Sequence, residues 1–201
     1  MKNVKRTAML LGDQRGLTLV ELMVATTMTL MVLGAASTLM IMGLHTQPAI
    51  SDRSFDIQQG RTFEDRFTRE LRASYAIEPN PQPTSSQISF DTYVRSTTCG
   101  GAPLTNPAAP AIACRVTYTC SAGTCSRAEG PPSTGGGTAV KQVSGLDSSA
   151  GVFGTDPTSP PAAPGTPLPN SPGYITVHLA FPAKGGAGPI ALDDGVDLRN
   201  R

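Results

Sequence analysis

Residues 15–44 read RGLTLVELMVATTMTLMVLGAASTLMIMGL. From Leu17 to Leu44 that is 28 residues carrying one charge, Glu21. Wound as a helix, the run spans roughly 42 Å, more than the ~30 Å hydrocarbon core of a bilayer. Before it stands a short polar segment, MKNVKRTAMLLGDQRG, whose Lys2, Lys5, Arg6 and Arg15 face Asp13 alone. Such a basic flank favours a cytoplasmic N-terminus. A secretory signal would place a small-residue cleavage site after the apolar run. Residues 41–52 read IMGLHTQPAISD and hold no A-x-A site, so the apolar segment is expected to stay on the chain. Glu21 is the anomaly, because an unpaired carboxylate within an apolar segment costs on the order of several kcal/mol unless it lies near the interface. Taken alone it fits a membrane anchor that tolerates one interfacial acid.

The string Arg15-Gly16-Leu17-Thr18-Leu19-Val20-Glu21-Leu22 says more. It resembles the processing site of type IV prepilins and of type II secretion pseudopilins. The resemblance implies that a membrane prepilin peptidase cuts after Gly16 and that the new N-terminus on Leu17 is methylated. It implies that Glu21 is the family's glutamate at mature position five; Leu17 stands where the family usually has Phe. Gly16 offers no side chain to obstruct a peptidase. A cut there frees an amine at the membrane edge, and Glu21 can attract the amine of a neighbouring subunit during filament assembly. The implied fold is α+β and type IV pilin-like, a long N-terminal helix packed on a small antiparallel sheet.

The expected organisation is a leader at 1–16, a membrane and filament-core helix at 17–47, an amphipathic helix at 48–78 and an antiparallel sheet region at 79–201. Within the apolar span, Thr26, Thr27, Thr29, Ser37, Thr38, Gly34 and Gly43 are small or hydroxylated, as suits close helix approach; an ordinary anchor tolerates them equally. Pro48 is expected to kink or briefly interrupt the helix, with Ser51 or Asp52 capping its restart. Ile57, Gly60, Phe63, Phe67, Leu71 and Tyr75 then form one helical stripe, opposite Arg61, Asp65, Arg69 and Arg72. That stripe reads as the face that docks on the sheet, with Glu64 and Glu70 as charges along its edge. Pro79, Pro81 and Pro83 end the helix.

Beyond them the period falls to about two, with expected strands at Gln87–Val94, Cys114–Cys120, Ala139–Val143 and Tyr174–Phe181 and a short last one near Gly195–Arg199. Residues 154–173 hold seven prolines and read as an exposed loop. Two stretches, RVTYTCSAGTCSR at 115–127 and PIALDDGVDLRN at 189–200, resemble minor pilins of the PilW type and pseudopilins of the PulJ type.

Four cysteines, Cys99, Cys114, Cys120 and Cys125, fall on the side expected to lie outside the membrane, where disulfides form. Three pairings are open. Cys120–Cys125 is favoured because Ser121-Ala122-Gly123-Thr124 would close a hairpin between them, leaving Cys99–Cys114. A zinc site is the alternative, but the spacing lacks the usual C-x2–4-C pairs; free thiols are the third. Asp193-Asp194-Gly195-Val196-Asp197 reads as a turn before the last strand, or as a calcium-type carboxylate cluster.

Charge is near balance, at +1 over the whole chain. No basic cluster marks a nucleic-acid footprint. The two histidines, His45 and His178, match no Ser/His/Asp, Cys/His or phosphate-loop pattern. The sequence therefore points to a non-enzymatic subunit without cofactor or metal. Its expected partners are prepilin peptidase, the inner membrane and other pilin or pseudopilin subunits. It is expected to begin as a single-pass inner-membrane protein and to end in a pilus or a periplasmic filament. The leading role is a minor pilin that initiates or caps a type IV pilus. A type II secretion pseudopilin is the nearest alternative. A pilus-tip adhesin or DNA-uptake receptor is the reading from another class, which nothing in the composition supports.

Overall fold

A computed structural model describes residues 18–95, 97–103, 106, 110–132, 135–184 and 188–198, the side chains of 45–49 excepted. Helix α1 runs Leu19–Arg72. Eight strands follow: β1 (Ser74–Ile77), β2 (Gln87–Val94), β3 (Ile112–Ser121), β4 (Thr124–Gly130), β5 (Val140–Ser144), β6 (Phe153–Gly154), β7 (Tyr174–Phe181) and β8 (Ile190–Asp197). The order is the α+β one of type IV pilin-like proteins, a long N-terminal helix and then antiparallel sheet. The chain divides into two compact units, Met1–Gln47 and Pro48–Arg201.

The first unit contributes the apolar half of α1, from Leu19 to Leu44, with none of it buried within the chain. The second holds the rest of α1 and all the strands. These form two sheets rather than one, a five-stranded meander β1-β2-β3-β4-β5 and a three-stranded sheet β6-β7-β8. Every pairing is antiparallel. Strands β3 and β4 meet through Ala122 and Gly123, both at positive φ (47° and 72°). That is the backbone a two-residue hairpin turn requires, because it matches the twist of the flanking strands.

Both sheets pack against one face of α1. Phe63, Phe67 and Leu71 lie at i, i+4 and i+8 and are almost wholly buried. Phe67 meets Phe90 and Tyr118 of the larger sheet at centroid distances of 6.1 and 5.1 Å, and Phe153 of the smaller one at 5.3 Å. At Gly60 the helix comes so near the smaller sheet that an added Cβ would lie 2.5 Å from Leu192 Cδ1 and 3.2 Å from the Phe181 ring.

Further details differ from the sequence expectation. The helix continues through Pro48, with Ser51 and Asp52 inside it rather than capping a restart. A proline removes one backbone donor, and the residues on either side carry the helix on. The helix also stops at Arg72 instead of reaching residue 78. The Ala73 N–H bonds the Arg69 carbonyl and the Ser74 hydroxyl bonds that of Leu71 (2.7 Å), after which Ser74–Ile77 pairs with β2. Pro79 disfavours a helical conformation at Glu78, so strand pairing offers these backbone groups the better partners. Tyr75 consequently leaves the helical stripe and packs against Tyr93, the ring centroids 4.7 Å apart. Finally, β8 begins at Ile190, so Asp193-Asp194-Gly195 lies within a strand and not in a turn; Arg199 falls outside the described residues.

Replacing Phe67 with Ala removes the ring shared by the helix and both sheets. The full chain in detergent micelles is expected to lose about 3–5 kcal/mol, read as a lower urea midpoint of the tertiary signal.

Candidate functional site

The leader and the cleavage pair Gly16 and Leu17 lie outside the described residues, which begin at Thr18. Glu21 stands in the first turn of α1. Its N–H donates to Thr18 Oγ1 at 3.3 Å, while the Thr18 carbonyl accepts from Leu22 N–H at 3.1 Å. Thr18 is therefore the N-cap and Glu21 the third helical residue, the T-x-x-E spacing of a capping box. The sequence reading passed over Thr18, although this spacing was there to find it. A carboxylate in the first turn also opposes the positive end of the helix dipole, which eases part of the cost of a charge beside an apolar run.

The next turns are apolar in effect as well as in composition. Hydroxyls of Thr26, Thr27, Thr29, Ser37 and Thr38 each donate to a carbonyl three or four residues earlier in the same helix, at 2.7–3.1 Å. Their polar atoms are thus satisfied within the helix, as hydrocarbon surroundings require. Leu19–Leu44 has a mean hydropathy of 1.8. Leu30, Met31 and Leu39 are each about 70% exposed. An apolar surface on this scale needs lipid or other helices to cover it.

Residues 11–37 match the prokaryotic N-terminal methylation motif. The match supports a type IV pilin-like protein. It takes in Gly16, Leu17, Glu21 and most of the apolar helix. It implies processing by prepilin peptidase and assembly with other pilins, and with the apolar helix it points to membrane anchoring. No curated protein matches the chain.

In the globular unit the four cysteines pair as Cys99–Cys114 and Cys120–Cys125. Cys120 and Cys125 sit opposite each other on the β3–β4 hairpin, their Cα atoms 4.0 Å apart. Cys99–Cys114 ties the loop before β3 back onto that strand. All four sulfurs are thereby occupied.

The helix charges are placed more deeply than stripe-edge residues. Glu70 accepts from the Tyr118 hydroxyl (2.8 Å), Arg127 Nε (2.9 Å) and Arg66 Nε (3.1 Å). Arg127 Nη2 also reaches Glu129 at 2.6 Å, and Arg66 Nη1 reaches Gln142 at 3.2 Å. One network thus joins α1 to β3, β4 and β5. Burial, then the Glu70 charge, push the Tyr118 hydroxyl far above its ordinary range. Burial works against the Arg127 charge, but its bonds to Glu70 and Glu129 outweigh that and raise its pKa. Glu64, also expected at the edge, is buried and leaves Oε1 without a partner.

On the outer face of the smaller sheet, His178 Nδ1 contacts Asp193 across the β7–β8 pair. Strand alternation sends Asp194 to the opposite face, where its Oδ2 accepts from Thr68 at 2.9 Å. The two aspartates therefore do not converge as a calcium cluster would need. Among the described residues no group of three or more His, Cys, Asp or Glu is placed to hold a metal.

Arg127→Met takes the cation from the half-buried Glu129 and leaves Glu70 with Arg66 alone. It should cost about 3–5 kcal/mol in urea unfolding of the micelle-bound chain, and adding Glu70→Gln should recover part of that loss.

Proposed function

We propose that this chain is a minor pilin-like subunit that helps initiate or cap a type IV pilus, and that it works by assembly rather than by catalysis. The observation that carries the reading is the methylation motif at 11–37 running directly into a helix whose apolar surface lies open from Leu19 to Leu44. Before assembly the helix sits once across the inner membrane. Cleavage after Gly16 frees the amine of Leu17, four residues before Glu21. Glu21, held in the first turn by the Thr18 cap, then neutralises the amine of an adjacent subunit as both leave the lipid. Apolar contact between helices supplies the driving force once the surface leaves lipid.

The globular unit, tied by two disulfides, faces outwards with its proline-rich 154–173 loop. The stretches that resemble minor pilins of the PilW type and pseudopilins of the PulJ type occupy the β3–β4 hairpin and β8. A type II secretion pseudopilin shares the same motif and physics, and the identity of co-purifying subunits separates the two.

In a host that assembles type IV pili, Glu21→Val should leave membrane insertion and leader removal intact. The amount recovered in sheared filaments, read by immunoblot, should fall at least about tenfold, since the capping box also loses its acid. Equal recovery of variant and wild type would count against a role for Glu21 in assembly. Recovery with secretion-system subunits in place of pilins would select the pseudopilin reading.

A further inference from the structure

Glu64 lies on α1 between the stripe residues Gly60 and Phe67, at the seam with the β7–β8 hairpin. It is only 9% exposed, and its Oε1 reaches neither solvent nor a donor. The charged groups facing it are mostly of its own sign. From β8 comes Asp194, anchored by Thr68; Asp193, on the other face of the strand against His178, adds its charge from farther away. On α1 itself stand Asp65 and a counter-charge, Arg61. A largely buried carboxylate with one oxygen unpartnered and aspartate charge nearby is unfavourable when ionised. The seam is also narrow, because Gly60 brings the helix against Leu192 and Phe181. Strand β8 is an edge bonded to β7 alone, so it can part from the helix without breaking a central strand pairing.

We propose that Glu64 is a proton-operated latch, which holds β8 against α1 when protonated and loosens the β7–β8 hairpin when ionised. Burial, then Asp194 and Asp193, push its pKa up to about 7 from 4.5. Because the folded value is the higher one, the folded chain binds the extra proton between these two pH values. The stabilisation is fully present below about pH 4.5 and is lost as pH rises through about 7. The docked hairpin therefore belongs to mildly acidic surroundings and the loosened one to pH above neutrality.

The test is thermal unfolding of the full chain in neutral micelles from pH 5 to 8, for the wild type, Glu64→Gln and His178→Asn. The wild-type Tm should fall by roughly 5–10 °C over that range. Glu64→Gln should stay flat within ~2 °C, and His178→Asn should keep the wild-type slope. The same slope in Glu64→Gln as in the wild type, or a flat response in His178→Asn alone, overturns the proposal. Should Glu64→Gln fail to fold, amide exchange in the wild type decides the matter. Between pH 5 and 8, after correction for the intrinsic rate, Ile190–Asp197 should lose protection while Gln87–Val94 keeps it. Equal behaviour of the two strands overturns the latch.

Discussion

The globular unit depends on one aromatic contact, the ring of Phe67 set between two sheets. Phe90 and Tyr118 reach it from the five-stranded meander and Phe153 from the three-stranded sheet, with Phe63 one turn away on the same helix. Neither sheet covers its own apolar face; each is completed by the helix. The polar network of Glu70, Arg127 and Tyr118 lies beside this cluster and fixes the helix on the larger sheet. Asp56–Lys184 and Thr68–Asp194 make contacts across to the smaller-sheet side. Packing supplies the bulk of the stabilisation, and the buried charges supply the register, because a slip would strand carboxylates without partners.

Helix α1 serves two kinds of surroundings through its side chains. Between Leu19 and Leu44 every hydroxyl described turns inward to its own backbone and the surface is hydrocarbon. Between Asp56 and Leu71 the buried stripe is half apolar and half polar, Asp56, Glu64 and Thr68 alternating in turn with Phe63, Phe67 and Leu71. The first half suits lipid or a bundle of like helices. The second is specific to this chain's own sheets. A shared anchor and an individual head follow from that division.

Much of this was legible because local pattern and tertiary role agree. QISFDTYV and YITVHLAF alternate β-branched or aromatic residues with smaller ones, and they form β2 and β7 over those same bounds. The apolar run and its lone glutamate are likewise local signals, which is why the methylation motif could be read from Arg15 to Leu22. Strand β4 was not legible, because its inward positions carry Arg127 and Glu129, which pair with each other and, through Arg127, with Glu70 of the distant helix. The start of β8 was hidden for a similar reason: Asp-Asp-Gly reads as a turn until β7 is present to pair with it. Glu64 and Glu70 looked like surface charges because burial by a distant strand leaves no mark in a helical period. The division into two sheets rests on which strands pair, which no local period records, and β6, two residues long, is too short to carry any periodicity.

The claim on which the functional account turns is that the apolar helix is the mature N-terminus of an assembling subunit. Intact mass and N-terminal sequencing of the full chain, co-expressed with and without a prepilin peptidase, test it most directly. The account predicts a peptidase-dependent product that begins at Leu17. An uncleaved chain in the presence of active peptidase, or a cut beyond Leu44, would contradict it.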